Sequence, residues 1–291
     1  MPAYNCERYI NKAIDSILNQ TYKNFELLIA DDYSTDKTKG IIDSYRDDRI
    51  KRFHNDNNLG YLKTTNKLFE LCSGDFITFQ DADDFSDKNR IERLVNYLIE
   101  HPEIDCLGSN IAKVDINGNE FFKSNFPLNQ ADILTEFKKN RIVMTGSSLM
   151  IRKKVLNKIG IYNEYFDRLG SEDVYWYSLI IENLSAANLP DVLYCYRANP
   201  NSVGGTFKDP RSKVLNNLTV RLFKERIKGQ DDPIKNGNFK LADDHCKFLL
   251  LIEDAKKNKL ASFFKSINMF IFNWNLFRLY SKDFYYALFK L

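Results

Sequence analysis

At 291 residues, 44% hydrophobic and 28% charged, the chain has the makeup of a soluble globular protein, with room for one large domain or a domain and an appendage. The net charge of +3 hides an asymmetry: residues 211–291 carry 16 Lys and Arg against 8 Asp and Glu, which leaves the rest of the chain acidic. Five cysteines, scattered singly and without a CxxC pair, argue against a disulfide framework or a zinc site and for a reducing, cytoplasmic compartment.

Residues 7–20 place Ile10, Ala13, Ile14, Ile17 and Leu18 at helical spacing. Phe25 to Ala30 is an apolar run closed by Asp31 and Asp32, which reads as a buried strand with a carboxylate tip. Ser34, Thr35 and Asp36 suit the capping of a helix through Ile41, Ile42 and Tyr45. A strand at 50–54, a loop from Asn55 to Gly60 and a helix from Leu62 to Cys72 lead to a strand at 76–80. A helix over 90–100 ends at His101-Pro102, Cys106 to Val114 reads as a strand, and Asn117-Gly118 marks a turn between two strand-like runs. Met144 to Ile151 is strand-like, Val155 to Ile159 opens a helix, residues 171–183 form another, and Val192 to Tyr196 makes a last short strand.

This alternation predicts an α/β fold with a mostly parallel sheet flanked by helices. The opening Met1-Pro2-Ala3-Tyr4-Asn5 reads as the loop after a strand, with no strand before it. Either the first strand is missing or the natural N-terminus is longer. The second is expected, because losing a central parallel strand would expose neighbouring backbone groups.

Beyond residue 210 the pattern turns helical and cationic over 211–228 and 240–260, so 206–291 is expected to be a helical C-terminal extension. Eleven aromatics crowd residues 263–291, interrupted by Lys265, Asn268, Asn273, Asn275 and Arg278. A membrane span is not expected. Two readings stay open for 262–291: peripheral contact with the inner face of the cell membrane, or packing on protein. No nucleic-acid partner is expected.

The chemistry concentrates at Phe79-Gln80-Asp81-Ala82-Asp83-Asp84, a carboxylate cluster directly after an apolar run. The C-terminal end of a strand is where open α/β sheets bind ligands. Two carboxylates one residue apart can share a hard divalent cation, which keeps coordination sites for substrate phosphates. A calcium loop fails as an explanation. Asp81, Asp83 and Glu92 fit its spacing, but Phe85 and Ser86 stand where an oxygen ligand and the turn glycine belong.

Pro2-Ala3-Tyr4-Asn5, Gln20-Thr21-Tyr22, Asp31-Asp32-Tyr33-Ser34-Thr35-Asp36, Asn58-Leu59-Gly60, Gly74-Asp75, Asp81-Ala82-Asp83-Asp84, Met144 to Phe166, Ser171-Glu172-Asp173 and, more weakly, Tyr196-Arg197 follow one another in an order and spacing that resembles family 2 glycosyltransferases of the GT-A fold. The resemblance covers residues 1–205 and implies a GT-A domain over that span. It further implies an inverting, metal-dependent hexosyl- or N-acetylhexosaminyl-transferase acting from a nucleotide-sugar donor, expected to be UDP-linked, onto a hydroxyl of a surface-glycan or lipid-linked acceptor.

The same resemblance implies the site. Pro2, Ala3, Tyr4, Asp32, Lys63, Asp81 and Ala82 would bind the nucleotide-sugar, with Tyr4 stacked on the base, Asp32 accepting from its ring NH and Lys63 near the diphosphate. Asp83, with Asp81, would ligate Mn²⁺ or Mg²⁺. Asp173 would be the general base and Glu172 its orienting partner. Two departures stand out: the family often has glycine at the place of Tyr33, and histidine at the place of Asn199, so protein ligation of a metal from that last loop is not expected. Arg197 and Ser202 would close over the diphosphate. The alternatives are a metal-dependent nucleotidyltransferase, disfavoured because no Gly-rich basic loop opens the chain, and a non-catalytic nucleotide- or sugar-binding module.

Overall fold

Apolar runs of five or fewer residues separated by amphipathic helices leave the chain few options beyond short strands covered by helices. The computed structural model describes residues 1–199, 207–257 and 274–289. They sort into two compact units, Met1–Arg168 with Glu172–Thr206, and Leu169–Ser171 with Phe207–Leu291.

The first unit holds two sheets. One is parallel, in the order β1 (Pro2–Ala3), β2 (Leu27–Asp31), β3 (Ile50–His54). Every residue of β2 is buried, which is why its sequence lacks polar alternation. The other sheet contains β4 (Phe76–Thr78), β5 (Phe85–Ser86), β6 (Cys106–Val114), β7 (Glu120–Lys123), β8 (Met150–Arg152) and β9 (Ala186–Arg197). Its order is β4-β8-β6-β9-β5, with β7 paired to β6. Within it only β6 and β9 run parallel; the β4–β8, β6–β8, β5–β9 and β6–β7 pairs are antiparallel. The α/β class is as expected, and parallel pairing dominates the first sheet. The second sheet is mixed, because β8 and β5 run antiparallel to their neighbours.

Helices α1 (Ile10–Leu18), α2 (Thr38–Ser44), α3 (Tyr61–Leu71) and α4 (Arg90–Glu100) flank these strands. Ile10, Ala13, Ile14 and Ile17 of α1 and Leu94, Val95 and Leu98 of α4 join Leu27 and Ile29 of β2 in one core. A cavity of about 770 Å³ lies between the sheets, lined by Leu27 and Leu28 of β2, Phe76 to Thr78 of β4, and Leu68 and Phe69 of α3; its lining extends to Tyr61 and Asp81. Residues Pro2–Ala3, read from sequence as loop, are strand: Ala3 pairs with Asp31. Two further elements escaped the sequence reading, β5 and the helix α5 (Gln130–Lys138), and β9 extends well upstream of Val192. Helices α6 (Lys154–Ile159) and α7 (Glu172–Asn183) complete this unit.

The second unit is helical, with α8 (Leu215–Ile227), α9 (Phe239–Lys257) and α10 (Trp274–Phe289). Leu276, Tyr280, Phe284 and Ala287 of α10 are buried at helical spacing. Tyr280 stacks on Phe248, bonds His245 at 2.8 Å and lies under the Arg221 guanidinium at 3.7 Å. No described helix is long and apolar enough to cross a membrane. Much of the 262–291 segment singled out in the sequence lies outside the described residues.

Candidate active site

The loops after β1 and β2 are cross-braced. Asn5 N–H donates to Ser34 Oγ, the Thr35 amide donates to Asn5 Oδ1, and the Glu7 amide donates to Asp36. Asp36, expected as a cap, accepts the Thr38 amide at 2.9 Å, within the first turn of α2. This bracing leaves Tyr4 and Tyr33 exposed at its tip. Tyr33 has φ +65°, the left-handed region that favours glycine, which accounts for the residue type the family often has there.

Asp32 is buried behind them. Its carboxylate accepts Asn55 Nδ2, the Leu59 amide and the Gly60 amide, each at 2.8 Å, while its own amide donates to Ala3 O. A carboxylate has about four acceptor positions. Three are already used to hold the Asn58-Leu59-Gly60 loop. Gly60, at φ +89°, starts α3 from that loop. Lys63, one turn into α3, is exposed and paired with Asp167 at 2.8 Å.

The acidic cluster follows β4. Asp81 accepts from the Tyr61 hydroxyl at 3.1 Å, and its amide donates to the Tyr194 oxygen. Burial, then the adjacent Asp83 charge, pushes the Asp81 carboxyl up to about 7. Ala82 is buried. Asp83 accepts from Asn199 Nδ2 at 3.2 Å, and its carbonyl accepts Arg197 Nε. Asp84 is the structural member: buried, it accepts the Tyr194 hydroxyl at 2.8 Å and the Arg197 amide at 2.7 Å. Arg197, read from sequence as part of a closing loop, is instead buried at the end of β9. Its guanidinium binds the carbonyls of Asp83, Asp115 and Ile116 and sits over the Tyr9 ring. Ser202 lies outside the described residues.

Glu172 and Asp173 open α7. Their environments differ. Asp173 accepts the Gly146 amide at 3.1 Å and the Val174 amide at 2.8 Å, and these bonds oppose the upward push of burial. For Glu172 the upward push wins: burial, then the Asp173 charge, raises it to about 8 against a bond from its own amide. The charges of Asp81 and Asp173 act on Glu172, and that of Asp173 on Asp81, so the structure gathers both carboxylate groups around one region. No Lys, Arg or His forms an ion pair with Asp81, Asp83, Glu172 or Asp173 among the described residues.

Sequence reasoning missed Tyr61, Gly146 and Tyr194, which bond these carboxylates, and Arg90, which bonds the segments on either side of them. Only Gly146 carried a signal, as a glycine inside a strand-like run. Its close approach is tight: a Cβ there would meet Asp173 Oδ2 at 2.8 Å. Among the described residues, no three His, Cys, Asp or Glu side chains converge to hold a metal by themselves. Asp81 and Asp83 supply oxygen donors of the kind a hard divalent cation takes, and a cation held there would need its remaining ligands from phosphate or water.

Residues 1–160 match the family described as Glycosyl transferase family 2. An uncharacterized glycosyltransferase of Haemophilus influenzae is 32% identical over 201 residues, 68% of this chain and 75% of that protein. The Escherichia coli UDP-Glc:alpha-D-GlcNAc-diphosphoundecaprenol beta-1,3-glucosyltransferase WfgD is 30% identical over 212 residues, 72% of this chain and 80% of its own length. Among solved structures, S. aureus TarS 1-349 in complex with UDP-GlcNAc superposes with a TM-score of 0.62 at 22% identity, over 76% of this chain and 64% of that one. The chain thus spans just under two thirds of that TarS fragment. The mannosyltransferase PcManGT from Pyrobaculum calidifontis, in complex with GDP-Man and Mn²⁺, gives 0.57 at 14% identity over 99% of this chain and 83% of that one. The shared fold is GT-A.

Proposed function

The chain belongs to glycosyl transferase family 2, and we propose that it transfers a hexose or N-acetylhexosamine from a UDP-sugar to a hydroxyl of a surface-glycan or lipid-linked acceptor, with inversion. The observation that carries the mechanism is the asymmetry between Asp173 and Glu172. Burial raises both carboxyls, but the Gly146 and Val174 amides favour the charged form of Asp173, while Glu172 is raised to about 8 and holds its proton at neutral pH. Adjacent carboxyls whose environments drive their proton affinities apart divide acid and base roles between them. Asp173 is then the base that takes the proton from the acceptor hydroxyl as its oxygen attacks the anomeric carbon. Protonated Glu172 orients the acceptor by donating a hydrogen bond.

On the donor side, Tyr4 offers an exposed ring for the base, and Asp32 has one acceptor position left for its ring NH. Pro2, Ala3 and Ala82 would complete the wall of the nucleotide-sugar pocket. Lys63 would have to exchange Asp167 for the diphosphate. Asp83 and Asp81 would hold Mn²⁺ or Mg²⁺, which supplies Lewis-acid stabilisation of the leaving nucleoside diphosphate. The acceptor class rests on likeness to WfgD, whose name specifies a diphosphoundecaprenol-linked sugar.

A panel of nucleotide-sugars with Mn²⁺ tests this reading through nucleoside diphosphate release and the anomeric configuration of the product. Turnover with inverted configuration, lowered about 10²–10⁴-fold in Asp173→Asn, is expected. Retained configuration, or full activity in that variant, would overturn it.

A further inference from the structure

Arg90, the first residue of α4, is completely buried, yet it meets no carboxylate. One guanidinium nitrogen donates to Phe79 O at 2.9 Å and Ser86 Oγ at 3.1 Å. The other donates to Thr78 Oγ1 and Ser147 O, both at 2.8 Å. The ring of Tyr194 lies 5.0 Å below, and Nε has no partner. All four acceptors are neutral. The Asp81 and Asp84 charges act on it only through space, without a direct ion pair; burying a charge in this way is costly, and an apolar side chain would fill the space at less expense.

What those acceptors belong to gives the cost a purpose. Thr78, Phe79 and Ser86 bracket the turn that carries Asp81, Asp83 and Asp84. Ser147 belongs to the 3-10 turn Gly146–Ser148, whose first amide is bonded to Asp173. Tyr194, under the guanidinium, is the residue that ties the Asp81 amide to the Asp84 carboxylate. One planar group, with donors in a fixed fork, thus spans the segment holding the donor-side carboxylates and the segment holding the base.

We propose that Arg90 is a positioning residue for the transfer, fixing the Asp81–Asp84 turn and the Gly146–Ser148 turn in one geometry. It touches neither substrate nor reacting atoms and acts through Asp81, Asp83 and Asp173. The inference rests on the transferase reading given above. Lysine keeps the charge, but its three donors radiate from one point and cannot serve all four acceptors that the guanidinium fork holds.

The test is steady-state kinetics of Arg90→Lys and Thr78→Val against wild type, in the full chain, with Mn²⁺ and the best donor of the panel, normalised to folded protein by circular dichroism. Misplacing reacting groups by about 1 Å can cost on the order of 10²-fold. Arg90→Lys should therefore lose at least about tenfold in kcat, with donor KM held within about threefold. Thr78→Val, which keeps the shape but removes one Arg90 acceptor together with the hydroxyl's bond to Leu149 O, should shift kcat in the same direction by less. It decides the matter if Arg90→Lys does not fold. Wild-type kcat per folded molecule in either folded variant would overturn the inference while leaving the transferase reading intact. A wild-type chain inert with every donor would overturn both.

Discussion

The Gly146 amide donates to the Asp173 carboxylate at 3.1 Å, and the Gly146 Cα approaches that side chain so closely that a methyl group would sit 2.7 Å from Asp173 Cβ. Bond and close approach together make glycine the residue that aims Asp173. Gly146→Ala should force the carboxylate aside, lowering kcat by roughly 10²-fold and stability by about 1–3 kcal/mol. Kinetics and urea unfolding of the same preparation check both numbers. Unchanged kcat would mean that Asp173 needs no such aim.

Glu172 makes stability depend on pH. Its folded-state value of about 8 lies above the ordinary glutamate value of roughly 4.3. Between these values the folded chain holds a proton that the unfolded chain has released. The resulting stabilisation is full below the lower value and is lost as pH rises through the higher one. Glu172→Gln removes this titration while keeping the shape. Without divalent cations, its Tm should fall less than that of wild type from about pH 5 to 9. Parallel Tm profiles would contradict the burial and charge repulsion invoked here.

Chelation should abolish turnover, and Mn²⁺ or Mg²⁺ should restore it. Asp83→Ala should raise the metal concentration needed by more than the roughly 10–100-fold that outer-shell partners are worth. Titration of nucleoside diphosphate release against Mn²⁺ gives the comparison. Wild-type metal dependence in Asp83→Ala would move the ligand role elsewhere.

Asp32→Asn tests the loop rather than the chemistry. An amide cannot accept all three bonds from Asn55, Leu59 and Gly60, so a buried donor loses its partner. The cost should be about 1–3 kcal/mol, read as a lower midpoint in urea unfolding. An unchanged midpoint would show that the Asn58–Gly60 loop does not depend on this carboxylate.

How far the sequence could be read follows from where each signal lay. Helix α4 and strands β3 and β6 were legible to the residue, because periodicity and flanking breakers are local. Helix α5 was missed although Ile133 and Phe137 stand one turn apart and Asn129 caps the Asp132 amide. Pro190 concealed the first half of β9; its carbonyl accepts Asn110 Nδ2 where the β6–β9 register slips. The carboxylates could be named because strand ends and helix starts are local features. Arg90, Tyr194 and Tyr61 could not, since each acts on a segment distant in sequence. Lys63 and Arg197 look like phosphate ligands by residue type; only the fold reveals Asp167 beside one and three carbonyls around the other.

The division of the strands into two sheets has a consequence for amide exchange. No ladder hydrogen bond joins β1-β2-β3 to the sheet that begins at β4. Side-chain packing and loop contacts are what join the two sheets. Backbone amides of Leu27–Asp31 and Ile50–His54 should then exchange with deuterium as one cooperative group, and those of Cys106–Val114 and Ala186–Arg197 as another, with separate opening energies. A nucleotide-sugar gripped by residues from both groups would draw the two exchange rates together, so that donor binding is read in the backbone far from any atom it touches.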